Sequence, residues 1–304
     1  MDGESPAISR RNGRKRLLRM NRYNIERPLR VFEAFAGYGS QSMALERVKN
    51  YDPTFAFELI GFAEIDEPAI RAYRAVHGEV NNYGDISKID WREVPDFDFF
   101  TMSSPCQDFS NAGLQRGGEE GSGTRSSLLW ECRRAIVAKR PKFVFFENVK
   151  GLVGKNFRKY FLKWQRELEE YGYQNFYRVI NATEYGVPQN RERIYMISVL
   201  RTEDEEEPTY SFPKPFPLEV FLEDVLEEHV DERYFISDKM LKYFRRVSKD
   251  ESHCHCFKPK RILASCLSGR AMNERRGGQN IAFTIRTAPG QRVDDDFLEV
   301  TDEH

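Results

Sequence analysis

Strand-like and helix-like segments alternate between residues 29 and 200, and this alternation constrains the fold more than any other feature of the chain. Strands that alternate with helices form parallel sheets with helices packed against them. The sequence therefore predicts an α/β fold with a doubly wound, mostly parallel sheet. The predicted strands are 29–35, 57–63, 97–102, 143–146, 176–180 and 194–200, and the predicted helices are 40–49, 67–77, 128–139 and 157–171.

The alternation stops after Arg201. An acidic run at 203–207 and a proline-rich stretch at 212–217 follow, which is typical of a domain boundary. The later residues are irregular and rich in Arg, Gly and Ser, which is typical of a small second domain. We expect four parts: a basic N-terminal arm at 1–27, an α/β domain at 28–201, a linker at 202–217 and a smaller irregular domain at 218–304.

Composition argues against membrane and secreted classes of protein. The 304 residues are 40% hydrophobic and 31% charged, and no apolar run of about 18 residues or secretory signal is present, so we expect a soluble protein without a membrane partner. Five unevenly spaced cysteines indicate reduced thiols and a cytoplasmic location. The formal net charge of −1 leaves nucleic-acid binding open, because local patches decide it.

A glycine-containing turn joins the first predicted strand to the first predicted helix. Glycines there allow a tight turn, and the helix N-terminus favours a carboxylate or a phosphate, although a plain strand-to-helix turn is an equal alternative. Acidic residues near the next two strands can accept ribose hydroxyls and an adenine amino group, or can be solvated strand ends. Together they predict an adenosyl site without a pyrophosphate, with candidate residues Phe35, Gly37, Gly39, Ser40, Glu64 and Asp85.

Cys106 follows the third predicted strand, at the carboxyl edge of the sheet, where open α/β sheets do their chemistry. Many cysteines are small buried hydrophobic residues. Here the flanking Pro105 and Gln107, and the glycine-rich stretch at 111–123, favour an accessible and reactive thiol instead. The sequence therefore predicts a nucleophile at Cys106.

Three motifs follow one another along the chain: Ser104-Pro105-Cys106-Gln107-Asp108-Phe109-Ser110, Glu147-Asn148-Val149 and Gln189-Asn190-Arg191-Glu192-Arg193. In this order they resemble the motifs of the DNA (cytosine-5) methyltransferases of bacterial and phage restriction-modification systems, and the resemblance extends over residues 29–301. The resemblance implies the methyltransferase fold, S-adenosylmethionine as cofactor and double-stranded DNA as substrate. It also implies methyl transfer to C5 of a cytosine that is flipped out of the duplex.

The same resemblance implies a role for each site residue. Cys106 would add to C6 of cytosine, while Glu147 would hold the N4 amino group and share a proton with N3. Arg193 would bind O2 of the base, with Arg191 nearby. The remaining implied contacts are Pro105 with the cofactor, and Gln107, Ser110 and Gln115 with DNA. Residues 218–304 would form a partial target-recognition domain.

The family's C-terminal pattern, an Arg-rich helix start and a Gly-Asn-Ser type segment, is absent from this sequence. We therefore expect activity to depend on a complementary C-terminal polypeptide or subunit. The alternatives are a DNA-binding fragment without activity of its own and a tRNA cytosine methyltransferase. The absence of the Cys-Phe-Thr tripeptide expected in the tRNA family argues against the last of these.

In two other segments, a tempting motif predicts no metal site, and a basic run allows two interpretations. His253-Cys254-His255-Cys256 alternates along an extended segment and has no second ligand pair at finger-like spacing, so we predict no metal. The arginines between Arg10 and Arg22 either contact DNA phosphates or form a solvated tail.

Overall fold

The computed structural model describes residues 23–105, 120–121, 125–202, 207–221, 223–225 and 264–265. These residues divide into two compact units. The first contains the described residues up to Val179 together with Ile194–Phe212, and the second contains Ile180–Arg193 and the described residues from Pro213 onward. The predictions for the arm before residue 23 and for His253–Cys256 concern residues outside the described ones.

A six-stranded sheet forms the first unit, and its strands are β1 Leu29–Ala34, β2 Phe57–Ala63, β3 Phe99–Met102, β4 Phe143–Val149, β5 Tyr173–Asn181 and β7 Glu192–Leu200. They lie in the order β2-β1-β3-β4-β7-β5. Strand β1 pairs in parallel with β2 and β3, and β3 pairs in parallel with β4. The predicted α/β fold with a mostly parallel sheet is confirmed. In the second unit, the short strand β6 Gln189–Asn190 pairs with β8 Ala264–Ser265.

Four α-helices accompany the sheet strands within the described ranges, and each of them overlaps a predicted helical segment. One prediction differs in part, because Arg125–Glu131 forms a 3-10 helix and the α-helix begins only at Cys132. Such turns are common at α-helix N-termini. The helices are α1 Ser40–Tyr51, α2 Glu67–His77, α3 Cys132–Lys139 and α4 Arg158–Glu170.

Helix α2 has clear signals at both ends. The Asp66 side chain caps its start by accepting a hydrogen bond from the Ala69 N–H at 3.2 Å, and Pro68 lies in its first turn. Gly78 ends it in a backbone conformation with φ of 77° that favours glycine. These local signals explain why the sequence predicted both ends of this helix.

Aromatic side chains dominate the buried core of the first unit. Phe32, Phe97 and Phe100 pack together with Trp91. Alternate residues of β4 are buried, and Glu147 lies on the other, partly exposed set. This register keeps the predicted catalytic carboxylate out of the apolar core. None of the helices in the described ranges is long and apolar enough to cross a membrane.

Candidate active site

The turn after β1 has an unusual backbone conformation at three of its residues. Phe35, Gly37 and Gly39 have φ angles of 56°, 57° and 81°. Such an angle is rare for a bulky residue such as Phe35, and strained conformations of this kind cluster at functional sites. A side chain at Gly37 would meet no atom within 4 Å, so its backbone is open to a ligand. A side chain at Gly39 would overlap His77 and Tyr73 of α2.

Glu64, after β2, turns its carboxylate toward this glycine turn. One oxygen accepts the Gly37 N–H at 2.9 Å, and the other accepts the N–H groups of Ile65 and Asp66 at 2.8 and 3.0 Å. A carboxylate offers about four acceptor positions. One position therefore stays available for a ribose hydroxyl while all three backbone bonds are kept.

Asn82 fixes the backbone around Glu64. Its side chain accepts the Glu64 N–H at 3.2 Å and donates to the Glu64 carbonyl at 3.0 Å, and it also accepts the Gly84 N–H at 3.0 Å. Asp85 follows directly. Hydrogen bonds from the Ser87 hydroxyl and backbone N–H lower the pKa of the Asp85 carboxyl, so it is ionised and can accept a hydrogen bond from an amino group.

Two serines at the end of β3 lead to the predicted nucleophile. Gln41 of α1 donates to the Ser103 hydroxyl at 2.9 Å. The Asn148 side chain, which is 2% exposed, donates to the carbonyl and hydroxyl oxygens of Ser104 at 3.0 and 3.2 Å. The segment is thus tied on one side to the helix after the glycine turn, and on the other to the residue next to Glu147.

Several predicted site residues lie at or beyond the limits of the described chain. Pro105 is partly buried and is the last described residue of this segment. Arg191 and Arg193 belong to the second unit. The residues outside the described ranges are Cys106, Gln107, Ser110 and Gln115, so their roles stay predictions.

A hydrogen-bonded turn in the second unit carries the two predicted arginines. Asn181 accepts the Arg191 N–H at 3.0 Å and donates to the Asn190 side chain at 2.8 Å. The Arg193 guanidinium donates to the Glu192 carbonyl at 2.8 Å. Both arginine residues are partly buried. A polar side chain, rather than an apolar core, therefore organises this turn.

Sequence reasoning missed the residues that hold the site together. The sequence did contain a signal for Asn148, because this residue adjoins the predicted catalytic Glu147 and is the last buried residue in the alternating pattern of β4. Asn82 lies in a polar turn shortly before Asp85, which is a weaker signal. Gln41 had none, since its partner Ser103 lies 62 residues away. Each of these side chains bonds to the site backbone or to a serine beside it.

The described residues fit an adenosyl cofactor. The backbone at Gly37 is open, Glu64 keeps an acceptor position, and the Asp85 carboxyl is ionised. Ile65, which is 70% exposed, adds an apolar surface next to Glu64 against which a purine ring could pack. Within the described part of the chain, no group of His, Cys, Asp and Glu side chains could hold a metal ion.

The fold is an α/β fold of the S-adenosylmethionine-dependent methyltransferase class. The chain resembles a crystal structure of a Spodoptera frugiperda DNMT2 mutant, with a TM-score of 0.59 and 20% identity, over 80% of this chain and 70% of that one. At that identity the likeness concerns the fold alone. Residues 29–296 match the C-5 cytosine-specific DNA methylase family. The chain belongs to this family.

Individual relatives agree with that assignment. The chain is 36% identical over 266 residues to the type II methyltransferase M2.ScrFI of Lactococcus lactis subsp. cremoris, covering 70% of this chain and 71% of the relative. It is 34% identical over 217 residues to the type II methyltransferase M.NlaX of Neisseria lactamica, covering 71% of this chain and 66% of the relative. The alignments thus span about two thirds of each relative's length.

Proposed function

We propose that this chain transfers a methyl group from S-adenosylmethionine to C5 of cytosine in double-stranded DNA, through a covalent bond between the Cys106 sulfur and C6. One observation carries the proposal. Gln41 and Asn148 tie the segment before Cys106 to the helix after the glycine turn and to the strand of Glu147. This arrangement supports one site in which a nucleophile, a carboxylate and a cofactor act on a single base.

The Cys106 thiolate would add to C6, and the electrons of the C5–C6 double bond would make C5 nucleophilic. Bound S-adenosylmethionine supplies the methyl group that C5 takes up. Loss of the C5 proton and expulsion of the thiolate would then restore the aromatic ring and free the enzyme. Cys106 would thereby form and later break the one covalent bond between protein and DNA.

Glu147 would hold the cytosine N4 amino group and share a proton with N3. This contact would strengthen as negative charge builds on the ring during thiolate addition. The positive charge of Arg193 would bind O2, and that of Arg191 would favour the ionised thiol. Pro105, together with Phe35, Gly37, Gly39, Ser40, Glu64 and Asp85, would contact the cofactor.

DNA binding would involve Gln107, Ser110 and Gln115, and residues 218–304 would recognise the target sequence after the linker at 202–217. The type II methyltransferases among the relatives support a restriction-modification role in a bacterial cytoplasm or a phage-infected host. Flipping the cytosine out of the duplex would cost a few kcal/mol, which contacts to the displaced base would offset.

Trapping on DNA that contains 5-fluorocytosine tests the proposal, because fluorine blocks the final elimination at C5. We expect a covalent adduct with the wild-type chain and none with Cys106→Ala. Cys132→Ala is the matched control, since Cys132 is fully buried and burial raises the pKa of its thiol well above the usual range. An adduct that survives Cys106→Ala would overturn the assignment.

The division of roles is tested with labelled cofactor in the same assay. Glu147→Gln is expected to lower kcat by at least about 100-fold with little change in cofactor affinity, whereas Glu64→Ala is expected to do the reverse. Turnover by the 304-residue chain alone would oppose a need for a complementary polypeptide. Turnover that starts only when a polypeptide with the Gly-Asn-Ser segment is added would support it.

A further inference from the structure

A fully buried carboxyl group lies next to the glycine turn. Glu33 of β1 is 0% exposed and accepts hydrogen bonds from the hydroxyls of Tyr73 and Ser42, both at 2.6 Å, and from the Ser42 N–H at 3.1 Å. Gly39, which precedes α1, has no side chain to cap that helix. Glu33 therefore supplies the acceptor that a first-turn N–H of α1 needs.

His77, at the end of α2, contacts the carbonyl groups of the same turn. Its Nε2 atom lies 3.2 Å from the Tyr38 oxygen and 3.1 Å from the Gly39 oxygen. Carbonyl oxygens only accept hydrogen bonds, so this nitrogen carries the proton. The His77 ring lies 4.6 Å from that of Tyr73, which stacks on Phe62 at 3.9 Å. These buried rings hold the donor in place.

We propose that Glu33, Tyr73 and His77 are positioning residues that set the affinity of the glycine turn for its adenosyl ligand. This inference rests on the proposed function, because it takes the turn to be the cofactor site. The three side chains act through the backbone of residues 38–42 and need not touch the ligand.

Peptide geometry explains how they act. In a trans peptide the N–H points away from the C=O, so a Gly39 carbonyl turned toward His77 directs the Ser40 N–H away from it. The first N–H groups of α1 have no acceptor within the helix and favour an anionic group, such as the carboxylate of S-adenosylmethionine. Holding these N–H groups in place before binding lowers the entropy lost when the ligand is bound.

Two variants of His77 separate its donor from its ring. His77→Phe keeps a ring against Tyr73 but removes the N–H, and we expect the Kd for S-adenosylmethionine to rise about 3- to 10-fold in calorimetric titration. His77→Gln restores a donor and is expected to recover most of that affinity. Tyr73→Phe removes one donor to Glu33, keeps the stack on Phe62, and should also weaken binding.

Ser198→Ala is the matched control for a general loss of stability. The Ser198 hydroxyl is buried in β7 and donates to the Asn175 side chain at 2.6 Å, and no site residue takes part in that bond. We expect this variant to lower the melting temperature and to keep the wild-type Kd. For the His77 variants we expect KM for the cofactor to change while kcat at saturation stays within about twofold of wild type.

The outcomes separate this inference from the proposed function. If the wild type binds S-adenosylmethionine and the Kd values of His77→Phe and Tyr73→Phe equal those of wild type or of Ser198→Ala, the inference is wrong. If the wild type binds the cofactor but methylates no DNA, either alone or with a polypeptide that carries the Gly-Asn-Ser segment, the proposed function fails, while the same comparison of Kd values still decides the inference. A wild-type chain without cofactor binding would overturn both.

Discussion

Two carboxyl groups of this protein, Glu33 and Glu120, each receive several hydrogen bonds, but in opposite environments. Glu33 is fully buried, and its donors are neutral groups of Ser42 and Tyr73. Glu120 has a side chain that is 41% exposed, and its donors are the charged groups of Arg133 and Lys163. Glu33 adjoins the glycine turn, whereas Glu120 follows the segment that carries the predicted DNA contacts.

The Glu120 cluster, formed by Glu120, Arg133, Lys163 and Glu167, contains more than one ion pair. Glu167 also pairs with Arg133 at 3.3 Å and with Lys163 at 3.7 Å, and the Lys163 ammonium lies 4.2 Å from the centre of the Trp130 ring. Water and salt weaken such pairs, while a buried polar group that loses its partner finds no water to replace it. The hydrogen bonds to Glu33 should therefore contribute more to the free energy of unfolding than the more numerous ion pairs of the Glu120 cluster.

Removal of the buried carboxyl group should have the largest effect. Glu33→Ala leaves two hydroxyls and one backbone N–H without their acceptor, so we expect the free energy of unfolding in urea to fall by about 3 kcal/mol or more. Glu46→Ala is the control, since Glu46 is exposed and pairs with Lys49 in the same helix. Its effect should stay within about 0.5 kcal/mol. Equal losses in the two variants would erase the contrast between buried and exposed carboxyl groups.

Alkaline pH should reveal the buried network through Tyr73. Burial, followed by the nearby Glu33, raises the pKa of the Tyr73 hydroxyl far above its usual value of 10. The unfolded chain then loses this proton above pH 10 while the folded chain keeps it. The contribution of Tyr73 to stability is therefore fully present below pH 10 and falls by about 1.4 kcal/mol per pH unit above it. The Tyr73→Phe variant should not show the part of the stability loss above pH 10 that Tyr73 causes.

Denaturation curves of both proteins between pH 9 and about 11 measure this difference. Tyr173 is also buried with a raised pKa, and its hydroxyl donates to the Pro141 carbonyl at 2.7 Å, so part of the alkaline fall should remain in Tyr73→Phe. Parallel stability curves for wild type and Tyr73→Phe would mean that Tyr73 ionises as readily in the folded chain as in the unfolded one.

Removal of the Glu120 charge from the Glu120 cluster should have the smallest effect on stability, and this effect should disappear at acid pH. Hydrogen bonds from Arg133 and then Lys163 lower the pKa of Glu120 to about 2. The contribution of Glu120 to stability is therefore present above the unfolded pKa of about 4.3 and is lost as pH falls toward 2. Because the side chain is exposed, we expect Glu120→Gln to cost at most about 1 kcal/mol at neutral pH.

Salt provides a second readout for Glu120. The difference between wild type and Glu120→Gln should shrink in about 1 M NaCl, where the Debye length is about 3 Å. The loss in Glu33→Ala should change little under the same conditions, because its donors are neutral and buried. A Glu120→Gln loss that persists in salt and at low pH would place this cluster with the buried network.

Local sequence signals predicted most of the fold. Strand and helix segments follow from apolar spacing and from caps such as Asp66 and Gly78, which act within a few residues of the chain. The same reasoning located Glu64 and Glu147 near strand ends, because strand ends in parallel sheets carry the chemistry. The sequence did not predict the 3-10 turn before Cys132, since α and 3-10 turns share nearly the same residue preferences.

The sequence by itself determined the kinds of segment, their order and the carboxylates at strand ends. Only the tertiary structure decided which distant side chains meet there. The partners in the Glu33–Tyr73, Gln41–Ser103 and Asn148–Ser104 pairs are 40, 62 and 44 residues apart in the chain. The order in which strands join the sheet brings such residues together, and this order cannot be derived from residue spacing along the chain. Periodicity is a local property, whereas a hydrogen bond between strands and helices depends on how the whole sheet is assembled.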